Sequence, residues 1–144
     1  MKDLDEFHYL QVSLENGLWF LPTSFSTLVV GYSDADWAGY RDSCHSTIRY
    51  AVFLGPNLIA WCFKKQPTVS KSSTEADYRA IGYTVVETIK IHKLLFNLGV
   101  TFFTPVCLYC NNLSATYMSV NSVQHDHSKH TAMDCHFVRE LMEI

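Results

Sequence analysis

Two short segments place carboxylates where divalent-metal chemistry on phosphates would need them. GYSDADWAG, Gly31 to Gly39, carries Asp34 and Asp36 two residues apart at the end of a β-rich run. KQPTVSKSSTEADYRAI, Lys65 to Ile81, carries Glu75 at the start of a predicted helix. Mg²⁺ is a hard cation that takes oxygen ligands and keeps several waters, so acids gathered from separate elements suit it and thiolates do not. Each residue also has a plainer reading. Ser72 and Glu75 have the spacing of a capping box, in which the acid serves only the helix N-terminus. Asp34 and Asp36 are also turn formers at a strand end.

Other groups invite other chemistries. Lys64, Lys65 and Lys71 cluster beside Trp61 and Phe63, a combination able to track a nucleic-acid backbone, or equally a solvated strand end. Cys107 and Cys110 form a C-x-x-C with His125, His127 and His130 downstream. That spacing fits no standard zinc finger, and Leu108-Tyr109 between the cysteines reads as strand. Ser72 and Ser73 have no His-Asp arrangement to make them nucleophiles and read as caps.

Several elements must position these residues. Leu4, Phe7, Leu10 and Leu14 have helical spacing up to Asn16-Gly17. Strands are predicted over Leu28 to Ser33, Thr47 to Leu54 and Leu58 to Lys64, with Gly55-Pro56-Asn57 as a tight turn between the last two. A long helix opens at Ser72-Ser73-Thr74-Glu75. It carries Tyr78, Ile81, Val85, Ile89, His92 and Leu95 on one stripe and closes at Gly99. A fourth strand spans Val106 to Cys110, and helices follow over Leu113 to Val120 and Lys129 to Met142. The order predicts an α/β fold with an antiparallel start and a long crossover into a parallel strand, giving a mixed sheet with flanking helices.

Composition supports a globular domain. The 144 residues are 48% apolar and 17% charged, enough for one core. The net charge of −3 supplies no overall basic field, so nucleic-acid binding would depend on a local patch. No apolar run reaches the roughly 18 residues of a membrane span, and the acidic start MKDLDEF is unlike a signal peptide. Five scattered cysteines favour reduced thiols and a cytoplasmic or nuclear setting.

Five blocks in register, GYSDADWAG, STIRYAVFLG, LIAWCFKKQPTVSKSSTEADYRAI, YCNNLSA and KHTAMDCHFVRE, resemble the ribonuclease H domain of copia-type retrotransposon Pol polyproteins, over about residues 8 to 142. The resemblance implies a ribonuclease H-like mixed sheet. Residues 1–24 would be the tail of the connection to reverse transcriptase, and 25–144 the ribonuclease H-like domain with its last strand and final helix missing. It implies cleavage of the RNA strand of an RNA–DNA hybrid by four carboxylates holding two Mg²⁺ ions ~4 Å apart. Asp34 matches the first-strand aspartate and Glu75 the helix glutamate, with Asp36 as a further ligand. Asn111 falls where the family has aspartate, and the fourth acid would lie beyond Ile144. Arg49 stands where the family commonly has glycine. Mg²⁺ is therefore expected to be weakly held or lost, and cleavage to be absent or very low. Low stability or self-association through a truncated sheet edge is expected as well. The alternatives are a non-catalytic module binding nucleic acid or protein, and a decayed transposon fragment without function.

Overall fold

Small and β-branched side chains alternate with large ones from Val29 onward, which is the pattern of a strand with one face covered. The computed structural model describes residues 17–18, 20–22, 28–40, 42–100 and 105–120. Strand β1 spans Val29–Tyr40, β2 His45–Leu54 and β3 Asn57–Lys65. Helix α1 spans Ser73–Asn97, β4 Cys107–Cys110 and α2 Leu113–Val120. The helix expected to end near Asn16-Gly17, the one expected over Lys129 to Met142, and His125, His127 and His130 lie outside the described residues.

The sheet order is β3-β2-β1-β4. β1 pairs antiparallel with β2 and parallel with β4, and β2 pairs antiparallel with β3. This is the expected mixed α/β sheet, compatible with a ribonuclease H-like fold. One boundary differs from the sequence reading. β1 does not end at Ser33 but runs on through Asp34 and Asp36, because β2 continues to pair with it there. Its pairing with β4 stops at Ser33↔Cys110. Asp34 and Asn111 are therefore the first residues past the carboxyl end of the parallel pair, the usual location of ligand sites in such sheets.

Helix α1 covers one face of the sheet. Its N-cap is Ser72, whose Oγ accepts from the Glu75 amide at 3.1 Å. Its far end closes at Gly99, with φ 82. The Gly99 amide donates to Phe96 O and the Val100 amide to Leu95 O, both at 3.0 Å, the paired bonds of a Schellman motif. The core joins Tyr78, Ile81 and Val85 of α1 to Ala115 of α2, with Leu108 and Cys110 of β4 packed against them. α1 lies close on β1 at Gly31, where a Cβ would meet the Thr84 methyl at 3.1 Å. No helix among the described residues is long and apolar enough to cross a membrane.

Candidate functional site

The carboxyl end of the β1–β4 pair gathers side chains from four elements. From β1 comes Asp34, which alternates with the buried Ser33 and so sits on the face away from α1. From the start of the β4–α2 turn comes Asn111, whose Nδ2 donates to Asp34 Oδ1 at 3.2 Å. From β2 comes Arg49, directly opposite Asp34 in the ladder. Its Nη1 lies 3.6 Å from Asp34 Oδ2, and its Nη2 donates to Asp36 Oδ2 at 3.0 Å. These groups are about half exposed, so the pairs add only about 0–1 kcal/mol of stability each.

The fourth contribution comes from α1, and it is Asp77. This side chain is almost fully buried. Its Oδ1 accepts from the Ala35 amide and its Oδ2 from Asn112 Nδ2, both at 2.8 Å. Asn112 also caps α2, accepting from the Ala115 amide at 3.1 Å. Burial pushes the Asp77 carboxyl above the ordinary carboxylate range, and the nearby Asp34 charge adds to this, while the Asn112 and Ala35 hydrogen bonds oppose it.

The helix acid expected at this site was Glu75, and its side chain is engaged elsewhere. Its Oε2 accepts from the Lys71 amide at 2.8 Å, one residue ahead of the usual capping-box donor. Its Oε1 pairs with Arg79 Nη2 at 2.8 Å in a largely buried i,i+4 bridge, and Arg79 also donates to Thr68. The reason is helical geometry. Residues 75 and 77 are about 200° apart around the axis, so when one serves the N-terminal turn the other faces the sheet. Asp77 lies one turn ahead of Ile81, Thr84 and Thr88, all buried, and Thr84 and Thr88 meet β1 at Gly31. Extending that stripe back by one turn was the sequence signal that could have found it.

Asp34, Asp36 and Asn111 are thus brought together, and Glu75 makes its contacts within the loop and first turns of α1. Among the described residues, no three His, Cys, Asp or Glu side chains form a group able to hold a metal ion. The loop between β3 and α1 is anchored by a residue the sequence did not flag. Gln66 is fully buried, donating to Ala76 O at 2.9 Å and accepting from Ser70 Oγ at 2.7 Å. Trp37 Nε1 donates to Ser70 O at 3.0 Å, tying the same loop to the end of β1.

The three lysines are exposed at the end of β3 and in this loop. Lys64 lies 4.0 Å from the Tyr83 ring centre and Lys65 4.9 Å from that of Tyr40. Trp61 and Phe63 are exposed on the face of β3 opposite Lys64, the face that Lys65 shares by strand alternation. Cys107 and Cys110 stand three apart on a strand and so point to opposite faces. Both are free thiols, and burial pushes the Cys110 thiol up, which keeps it protonated. On opposite faces of the strand, the two sulfurs do not converge on one point.

No family model matches the sequence. It is 42% identical over 135 residues, 94% of the chain, to the retrovirus-related Pol polyprotein from transposon RE1 of Arabidopsis thaliana, and likewise to that from transposon RE2. It is 35% identical over 116 residues, 81% of the chain, to the retrovirus-related Pol polyprotein from transposon TNT 1-94 of Nicotiana tabacum. The chain spans 9% of the length of each of these polyproteins. It is therefore similar, over nearly its whole length, to one segment of transposon Pol polyproteins.

Proposed function

We propose that this chain is the ribonuclease H-like portion of a retrotransposon Pol polyprotein, one that holds RNA–DNA hybrid and cleaves it poorly or not at all. The observation that carries the reading is the meeting of Asp34, Asp77 and Asn111 at one end of a mixed sheet. Two acids and an amide reach that end from β1, α1 and the turn after β4. A hybrid-cleaving centre built there would use a pair of Mg²⁺ ions, one to activate water and one to stabilise the leaving oxygen.

The residues present do not fit such a pair. Asn111 keeps the shape of an aspartate without its charge, and its amide hydrogens face Asp34 rather than a cation. Both oxygens of Asp77 already accept hydrogen bonds from within the chain. Two divalent ions would leave positive charge that so few anions cannot offset. On this reading the chain recognises nucleic acid rather than cutting it. Lys64, Lys65 and Lys71, with exposed Trp61 and Phe63, present cations and aromatic faces of the kind that follow a nucleic-acid backbone. In a full polyprotein the neighbouring partner would be the reverse transcriptase domain.

The test is fluorescence anisotropy of a labelled RNA–DNA hybrid titrated with the full chain over a salt series. The expected result is saturable binding that weakens steeply with salt. Lys64→Glu with Lys65→Glu should weaken it about tenfold at moderate salt. Absence of binding at low salt, or an affinity unchanged by the double variant, would contradict the proposal.

A further inference from the structure

We infer that Arg49 is the resident cation of this site. Its guanidinium, seated on Asp34 and Asp36, occupies the position a divalent ion would take and makes the site independent of metal. The inference rests on reading Asp34 and Asn111 as corners of a ribonuclease H-like centre.

The seat is fixed by the backbone. Asp34 and Arg49 are partners in the β1–β2 ladder, and Arg49 and Phe63 are partners in the β2–β3 ladder. The three residues form one cross-strand row, in which directly opposed side chains start about 5 Å apart. The guanidinium carbon lies 5.6 Å from the Phe63 ring centre, within cation–π range. The ring therefore backs the planar group from the β3 side while its two terminal nitrogens face two different carboxylates. A planar fork suits such bridging, and a flexible point charge would not reproduce it.

Donors from the chain surround both acids. Asp34 Oδ2 faces Arg49 and Asp34 Oδ1 accepts from Asn111 Nδ2. Asp77 Oδ1 accepts from the Ala35 amide and Oδ2 from Asn112 Nδ2. Every oxygen of the two acids thus faces a hydrogen-bearing or positive group supplied by the chain itself. Each carboxylate oxygen keeps a second lone pair, so what opposes a divalent ion here is the adjacent Arg49 charge and the Asn111 N–H rather than a lack of acceptor sites. To bind Asp34 the ion would have to expel Arg49 or settle beside its charge, and to reorient the Asn111 amide. Restoring the acid at 111 alone leaves Arg49 in place, so Arg49 and Asn111 act together.

The test measures free Mn²⁺ by electron paramagnetic resonance in solutions of the full chain, with no nucleic acid present. Wild type and Asn111→Asp should show no saturable binding in the low millimolar range. Arg49→Gln should gain binding, and adding Asn111→Asp to it should tighten that binding about tenfold over Arg49→Gln alone. Arg49→Lys, which keeps the charge without the planar fork, should bind Mn²⁺ more weakly than the neutral variants but not exclude it as fully as wild type. Arg49→Thr, with a side chain suited to a strand, serves as a second neutral variant, and far-ultraviolet circular dichroism identifies the samples that are folded. Wild type binding Mn²⁺ as tightly as the folded neutral variants would overturn the inference. So would a double variant no tighter than Asn111→Asp. Hybrid binding, measured on the same samples, separates the two readings. Gain of Mn²⁺ binding in a chain that ignores hybrid supports the role of Arg49 and refutes the hybrid reading. Hybrid binding with no Mn²⁺ gain in any variant does the reverse.

Discussion

At Asp77 two influences oppose each other, and the balance has a measurable consequence. Burial disfavours the charged carboxylate, and the hydrogen bonds from Asn112 and the Ala35 amide favour it, with burial the stronger. The folded-state pKa therefore lies above the unfolded value of about 4. As pH rises past that unfolded value, the unfolded chain gives up its proton while the native chain still holds one. Stability from this group is then lost until the native carboxyl has ionised too. Asp77→Asn removes that loss, although it sets an amide against Asn112 Nδ2 at a fixed cost of about 1 kcal/mol. In urea unfolding over a pH series, Asp77→Asn should gain on wild type as pH climbs from about 4. A difference independent of pH would contradict this account of Asp77. The residue also shows where sequence reading stopped. Ser72 and Glu75 were legible as a capping pair, but assigning the site acid to position 75 made one side chain serve both the cap and the sheet. Arg49 carries the same lesson from a strand. Its contact with Asp34 follows from the β1–β2 register, which hydrophobic alternation alone does not set to one residue.

Elements were more legible than contacts, because their signals are local. The Gly55-Pro56 turn, the Ser72 cap and the Gly99 stop bound β2, β3 and α1 within a residue or two of their observed limits. The order of one crossover helix after three strands implied a parallel partner, and β4 lies beside β1 as such. The end of β1 was not legible, since Asp and Gly read as turn formers and only pairing with β2 extends the strand past Ser33. Nor was the anchoring role of Gln66, whose partners are a helix carbonyl and a loop serine set by tertiary packing. How α1 sits on the sheet can be tested at Gly31. A methyl there would press on Thr84 Cγ2 at 3.1 Å, with Thr88 Cγ2 at 3.5 Å. Gly31→Ala should cost about 1 kcal/mol through this overpacking, and adding Thr84→Ser, which removes the methyl, should recover most of it. Equal destabilisation in the single and double variants by thermal or urea unfolding would show that α1 does not approach β1 as described.

At the scale of the molecule, the sheet is two-sided in character. One face is covered by α1 and α2, and the other presents Tyr32, Trp61, Phe63 and Tyr109 at half exposure or more. Tyr32 and Tyr109 stack across β1 and β4 with ring centres 5.4 Å apart. The proposed site lies at the end of this face, where Asp34 and Arg49 meet the row leading to Phe63. The fold, the relatives among transposon Pol polyproteins and the convergence of Asp34, Asp77 and Asn111 all point to one ancestry. The neutral Asn111, and Arg49 beside Asp34 and Asp36, support the proposal that cleavage is weak or absent. The most direct test incubates the full wild-type chain with an end-labelled RNA–DNA hybrid, at millimolar Mg²⁺ and separately Mn²⁺, and resolves the RNA strand by gel. No cleavage above a metal-free control is expected. Robust metal-dependent cutting by the wild-type chain, abolished by Asp34→Asn, would contradict the proposal.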